Sequence, residues 1–271
     1  MSQFYGIFQD IKDLNIGNIT ELSIYEGIFS TIYTNMQSSP KELGYYLENA
    51  FCVGNKVLEI ACGDGGNYMI PMAKKGFKVD GIEISESMIE RFYERTARLP
   101  EKIKNKINIY QADIFEYETQ EKYDLIMIPS TTICLLADNE EKTKKLFQRV
   151  YEWLKPGGRF MLDYRVDQTL EGNYISRIFT ESNKKYPYVM FMQEFNNLVP
   201  GRGIVNMYAE TVEDGCEKKY IASSDKRIIT DDLIEKLIEG IAFRLHNSYM
   251  IEMANAKVKL LVLEKENTDN E

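Results

Sequence analysis

The rhythm of apolar and polar positions shifts as the chain proceeds, and each shift marks a change of architecture. Up to residue 54 the spacing is helical. In LSIYEGIFSTIYTNM, Ile24, Ile28 and Ile32 share one face, and Tyr25, Phe29 and Tyr33 share an adjacent face at i, i+4, i+8. SSPKELGYYLENAF predicts a second helix, with Ser39 as N-cap and Pro40 in the first turn. From residue 56, short apolar runs (KVLEIA, KVDGIEI, KINIYQAD, YDLIMIPS, RFMLDYR) alternate with helical stretches (NYMIPMAKKG, SESMIERFYERTARL, NEEKTKKLFQRVYEWLK), the last closed by the turn PGG. Apolar strands alternating with helices predict a doubly wound, mostly parallel α/β sheet covered on both faces. After residue 166, YVMFMQEFNNL, GIVNMYAETVE and KKYIASSDKRIIT alternate between turn residues, which predicts antiparallel strands. DDLIEKLIEGI reads as a helix capped by Thr230, and FRLHNSYMIEM and AKVKLLVLE as two further strands joined at Ala254 and Asn255. The expected organisation is a helical cap over 1–54, a core over 55–166, an antiparallel insertion over 167–229 and a C-terminal helix with the last two core strands over 230–271. The insertion leaves the sheet at the edge where ligands bind.

Composition narrows the function classes. The chain has 271 residues, 44% hydrophobic, enough for one large core. Its net charge of −9 repels phosphate backbones, so nucleic acid is not an expected partner, although the same charge also serves solubility. The N-terminus MSQFYGIFQDIKD lacks a basic segment followed by an apolar run, and no stretch approaches the roughly 18 apolar residues that span a bilayer. A cytoplasmic location is expected. Cys52, Cys62, Cys134 and Cys216 form no CxxC pair and read as reduced thiols, and a single histidine, His246, leaves no imidazole-based metal site.

The candidate chemistry sits at the ends of three consecutive strands. In VLEIACGDGGN, Glu59 ends the first strand and Ala61, Gly63 and Gly65 follow, small residues that let the backbone turn sharply against a ligand. Eighteen residues after Gly65, Glu83 ends the second strand, where a carboxylate can accept from both ribose hydroxyls of a nucleoside. Asp113 ends the third and can accept from an exocyclic adenine amine while the Ile114 backbone reads the ring edge. Taken singly, each feature is common in structural turns; together, at neighbouring strand ends, they predict one nucleoside pocket. A dinucleotide fingerprint needs a third glycine, and Tyr68 stands there, where it would crowd helix against strand. A nicotinamide-dependent oxidoreductase is therefore the weaker alternative.

These residues resemble class I S-adenosylmethionine-dependent methyltransferases: E-x-A-x-G-x-G at the first strand, Glu83, Asp113 and the KPGG turn before the fifth strand. The resemblance implies a seven-stranded Rossmann-like sheet whose last strand is antiparallel, with S-adenosylmethionine as cofactor and S-adenosylhomocysteine as product. It implies that Glu59, Ala61, Cys62, Gly63 and Gly65 line the methionyl part and that Glu83 holds the ribose. Ile84 and Met88 would sandwich the adenine, Asp113 and Ile114 read its edge, and Ile128, Pro129 and Ser130 lie beside the sulfonium. A narrower resemblance, to bacterial amino-sugar and glycine-type N-methyltransferases, rests on Tyr25, Glu26, Gly27, Ile28 and Phe29. Those enzymes often carry a histidine in the fourth-strand loop; here that loop reads STTICLL, with Leu135 near the position.

A hydroxyl acceptor needs a base, whereas an amine needs only to arrive neutral. The loop therefore favours nitrogen in a small-molecule or short-peptide acceptor over O-methylation. Tyr25 and Tyr33 either close over the donor carboxylate and place the acceptor or simply pack. Asp163, Tyr164 and Arg165, read as following the fifth strand, either contact the acceptor or stay solvated. His246 reads as structural and Cys62 as a filler of the small turn position. No membrane partner is expected, and a homodimer is the expected alternative to a monomer.

Overall fold

The computed structural model describes residues 3–36, 40–168, 174–182, 187–253 and 256–266. In chain order the elements begin α1 (Ile7–Leu14), β1 (Thr20–Leu22), α2 (Gly27–Met36), α3 (Leu43–Val53), β2 (Lys56–Ile60), α4 (Met69–Lys75), β3 (Lys78–Glu83), α5 (Glu86–Thr96), α6 (Glu101–Lys104) and β4 (Ile107–Gln111). They continue with β5 (Tyr123–Ile128), α7 (Ile133–Leu136), α8 (Glu140–Trp153), β6 (Leu154–Arg165), β7 (Tyr174–Glu181), β8 (Tyr188–Asn196), β9 (Arg202–Glu213), β10 (Cys216–Arg227), α9 (Asp231–Ile238), β11 (Phe243–Met253) and β12 (Ala256–Lys265). The chain divides into two compact units, each assembled from two separate stretches: residues 1–35 with 168–228, and residues 36–167 with 229–271.

The second unit holds a seven-stranded sheet in the order β11-β12-β6-β5-β2-β3-β4. The strands β4, β3, β2, β5 and β6 are mutually parallel, and β12 runs antiparallel to β6. This is the doubly wound α/β sheet that the alternation predicts. Its central strand β5 is buried at every position because helices cover both faces. The strand alternation sorts side chains into two cores. Leu58, Ile60, Phe160, Leu162 and Tyr164 join α8 and α9 on one face, while Val57, Met161, Val262 and Leu260 join α3 and α4 on the other. Helix α4 lies close against β3 because Gly81 has no side chain: a Cβ there would stand 2.5 Å from Met69 Sδ and 2.6 Å from Cys62 Sγ.

The first unit is a five-stranded sheet, β1-β10-β9-β8-β7, antiparallel except for the parallel pair β1 and β10. Ile28, Phe29 and Ile32 of α2 pack with Tyr188, Met190, Ala209 and Ala222, and Phe4 and Phe8 pack with Phe195, Tyr208 and Ile221. The segment 1–54 is therefore not one helical cap. Thr20–Leu22 pairs as a strand with Tyr220–Ala222, and α3 packs on the core sheet. Tyr25 precedes α2 instead of lying on it, so the expected tyrosine face is not a helix face. Thr230 accepts from Leu233 N and caps α9 as predicted; Ser39, Ala254 and Asn255 lie outside the described residues.

Candidate active site at the strand tips

The order of the parallel strands fixes where a ligand binds. From β2 the chain winds outward through β3 to β4, and from β5 it winds the other way to β6. The crevice at the carboxyl ends of β2 and β5 is thus the topological switch point, the place where open α/β sheets take their ligands.

On the β2 side the backbone turns through left-handed conformations at Ala61 (φ 56°), Gly63 (φ 58°) and Gly65 (φ 68°). A Cβ on Gly65 would stand 2.9 Å from Phe92 Cδ2, so this position needs glycine twice over. The Gly63 amide donates to Glu83 Oε2 at 2.8 Å, and Glu83 Oε1 accepts from Ile84 N at 2.9 Å and Ser85 N at 2.8 Å. One buried carboxylate so ties the tips of β2 and β3 together. Glu59 is buried beneath the turn, and Oε2 has no hydrogen-bond partner. Burial pushes its carboxyl well above the usual range, against the Met69 amide that favours the charged form; Asp64 and Glu83 push it further up. Cys62 is buried and its thiol is pushed up by burial and by Glu59 and Glu83, so it fills the turn and is no nucleophile. Asp64, unremarked in the sequence reading, accepts from Gly66 N at 2.9 Å and pairs with Arg95 at 2.7 Å.

Beyond β3, Ile84 is 65% exposed, whereas Met88 is buried on the inward face of α5 with Ile89 and Phe92. Of the pair expected to sandwich the adenine, Ile84 offers an open apolar face and Met88 lies on the buried side of α5. Asp113 stands two residues past the end of β4, exposed, with Oδ1 accepting from Phe115 N at 2.9 Å; Ile114 is buried and its carbonyl accepts from Arg149 at 3.0 Å.

The β5 side is built by residues that the sequence reading weighed lightly or missed. Pro129 is buried, and Ser130 (φ 58°) and Thr131 (φ 57°) are consecutive left-handed residues at the tip. Asp163, fully buried on β6, holds them: Oδ2 accepts from Ser130 N at 3.1 Å and Oδ1 from Thr131 N at 2.5 Å. Oδ2 also accepts from the Tyr46 hydroxyl at 2.6 Å. Burial raises the Asp163 carboxyl to about 7, although its three donors pull it down. The Tyr68 hydroxyl lies 3.3 Å from Ser130 Oγ, and Tyr46 and Tyr68 meet edge to face at 5.3 Å. Tyr68 does not crowd α4 against the sheet; its buried ring turns toward β5.

Asp163, Tyr164 and Arg165 are the last residues of β6 and do not follow it. Alternation puts Tyr164 on the face opposite Asp163, buried among Leu233, Ile234 and Leu237 with its hydroxyl donating to Asp231 at 2.6 Å. Its expected acceptor contact is thereby corrected. Arg165 is engaged by both oxygens of Asp167, at 2.9 and 3.1 Å, which leaves it no solvated loop role. Tyr25 and Tyr33 belong to the first unit, where their rings meet edge to face at 5.6 Å. His246 Nδ1 lies 2.9 Å from Glu264 at a bulge in β11, and Cys52, Cys62, Cys134 and Cys216 form no disulfide.

Residues 57–158 match the methyltransferase domain family. The chain is 28% identical to a phosphoethanolamine N-methyltransferase of Plasmodium falciparum over 71% of its own length and 70% of that protein's. It is 25% identical to a Geobacillus protein named as a methyltransferase, over 49% of this chain and 52% of that one. The chain thus spans about half the length of that relative. Among solved structures, the fold is similar to CalS10, an amino pentose methyltransferase from Micromonospora echinaspora bound to S-adenosylmethionine, with a TM-score of 0.66 at 12% identity over 90% of this chain and 99% of that one. No helix among the described residues is long and apolar enough to cross a membrane.

Proposed function

We propose that this chain, an S-adenosylmethionine-dependent methyltransferase with its methyltransferase domain at residues 57–158, methylates an amine nitrogen of a small molecule. The residues at the switch point fit the donor. Glu59 Oε2 is a buried oxygen without a partner, of the kind a donor's ammonium satisfies, and the exposed Ile84 beside the Glu83 carboxylate suits an adenosine. When bound, the donor supplies a methyl carbon already activated by the sulfonium. The protein's part is alignment and exclusion of water, and holding a nucleophile in line near 3 Å can be worth roughly 7–11 kcal/mol of barrier.

The observation that carries the nitrogen reading is the segment after β5. Ser130, Thr131, Thr132, Ile133, Cys134, Leu135 and Leu136 include no imidazole, carboxylate or amine. The amine lone pair forms the new C–N bond as the C–S bond breaks onto sulfur, and the amine proton then passes to solvent, so no strong base is needed. The named activities of the Plasmodium relative and the Micromonospora neighbour support the same class, a phosphorylated amino alcohol in one case and an amino sugar in the other.

The test has two steps. S-adenosylmethionine and S-adenosylhomocysteine should raise the melting temperature, by the equivalent of about 2.7 kcal/mol at a hundredfold excess over Kd, and NAD should not. Glu83→Gln should weaken S-adenosylhomocysteine about tenfold, since an amide nitrogen then faces the donors that the carboxylate accepts. A panel of amino sugars, amino alcohols, amino acids and short peptides, with matched alcohols, then reads the acceptor by mass. Methylation of the alcohols alone would overturn the nitrogen assignment.

A further inference from the structure

We propose that Asp163 is a positioning residue for the methyl donor, holding the β5 tip in the left-handed shape that forms one wall of the switch-point crevice. This rests on the reading of the chain as an S-adenosylmethionine-dependent methyltransferase. Three geometric observations carry it. Two consecutive non-glycine residues, Ser130 and Thr131, adopt φ near +58°. Such residues are strained and persist only where their surroundings over-determine them. Their two amides converge on one carboxylate, an anion-holding nest whose occupant is supplied by the neighbouring strand and not by a ligand. The same carboxylate takes the Tyr46 hydroxyl, Tyr46 packs on Tyr68, and Tyr68 meets Ser130 Oγ, so the clamp runs across the crevice to the residue that opens α4 on the β2 side.

The groups that face Asp163 are few and mostly unable to neutralise it. Tyr46 approaches from α3, and Glu42, just before α3, is also buried and adds negative charge. Tyr68 approaches from the β2 side, and Leu260 of β12 pairs with it across the sheet. Ionised, Asp163 accepts all three donors. Protonated, it must turn a proton toward one of them, and the hold on Ser130 and Thr131 weakens. The carboxyl titrates at about 7, so the loosening falls within an accessible pH range.

S-adenosylhomocysteine binding by calorimetry, between about pH 5.5 and 8, tests the proposal. Wild-type affinity should fall several-fold as the pH drops through about 7. Asp163→Asn sets an amide nitrogen against one of the two backbone donors, so affinity should fall about tenfold and lose the step near pH 7. Tyr46→Phe removes a donor that favours the ionised form, so the midpoint should move to higher pH with a smaller loss of affinity. A structural role alone would lower the melting temperature of these variants and leave the midpoint where it is. Wild-type-like binding by Asp163→Asn, or an unchanged midpoint in Tyr46→Phe should Asp163→Asn fail to fold, overturns the positioning role. A flat wild-type profile with tight binding overturns it as well. A wild type that binds no S-adenosylhomocysteine at any pH overturns the donor assignment with it.

Discussion

Gly81 is a glycine for want of space, not for backbone freedom, since its φ is not left-handed. An added methyl would drive into Met69 Sδ and Cys62 Sγ, both beneath the β2 turn. Gly81→Ala should therefore cost about 1–3 kcal/mol in urea unfolding, the usual price of overpacking a dense core. The same contact explains why the sequence misled at Tyr68. The small residue that lets helix and strand approach lies on β3 and faces the helix, so the helix start is released to carry an aromatic ring. Glu59 and the small residues between Ala61 and Gly65 were legible because a short motif in one turn encodes them, and Glu83 because it ends the next strand. Asp163 and Tyr164 were harder. Their opposite facing follows from strand alternation along RFMLDYR, which already reaches Arg165, but placing the three residues after the strand set that alternation aside. Tyr46 carried no signal at all: only the pairing of α3 with β6 brings its hydroxyl to a residue 117 positions away.

At the scale of elements, the strands and helices with strong periodicity stand where the pattern predicts. Local capping rules fixed several starts: Ser85 accepts from Met88 N, Asn139 from Lys142 N and Thr230 from Leu233 N. Thr230 matters most for the site's surroundings, because it opens the helix whose Asp231 accepts from Tyr164 and whose Leu233, Ile234 and Leu237 complete the core against α8. Thr230→Ala should destabilise the chain by about 1 kcal/mol, read as a lower urea midpoint with unchanged slope. A fall in slope instead would signal that α9 had detached. Strands β1 and β7 were illegible for different reasons. Thr20–Leu22 is three residues long and is a strand only because Tyr220–Ala222 lies beside it, a pairing 200 residues distant in sequence. Tyr174–Glu181 alternates weakly, with Ile178 exposed on an edge strand that presents one side to solvent.

Across the whole molecule the distribution of charge is more telling than its sum. A chain of net charge −9 could keep its carboxylates in water, yet Glu42, Glu59 and Asp163 are buried in the unit that holds the parallel sheet, each raised chiefly by burial. The sequence shows the sum and not this placement, since burial of an acid depends on which strand ends meet. The consequence for stability has a definite sign. Asp163 ionises near its ordinary value of 3.8 in the unfolded chain and at about 7 in the folded one, so between those limits the native state binds the extra proton. The stability it lends is complete below the unfolded value and is lost as pH rises through about 7. Asparagine resembles the protonated acid and titrates in neither state. The unfolding free energy of the wild type minus that of Asp163→Asn should therefore decline steadily from about pH 4 to about pH 8, with the steepest change below neutrality. Urea unfolding of both proteins across that range measures the difference. A constant value would mean that the buried carboxyl ionises in the folded protein at the same pH as in the unfolded chain.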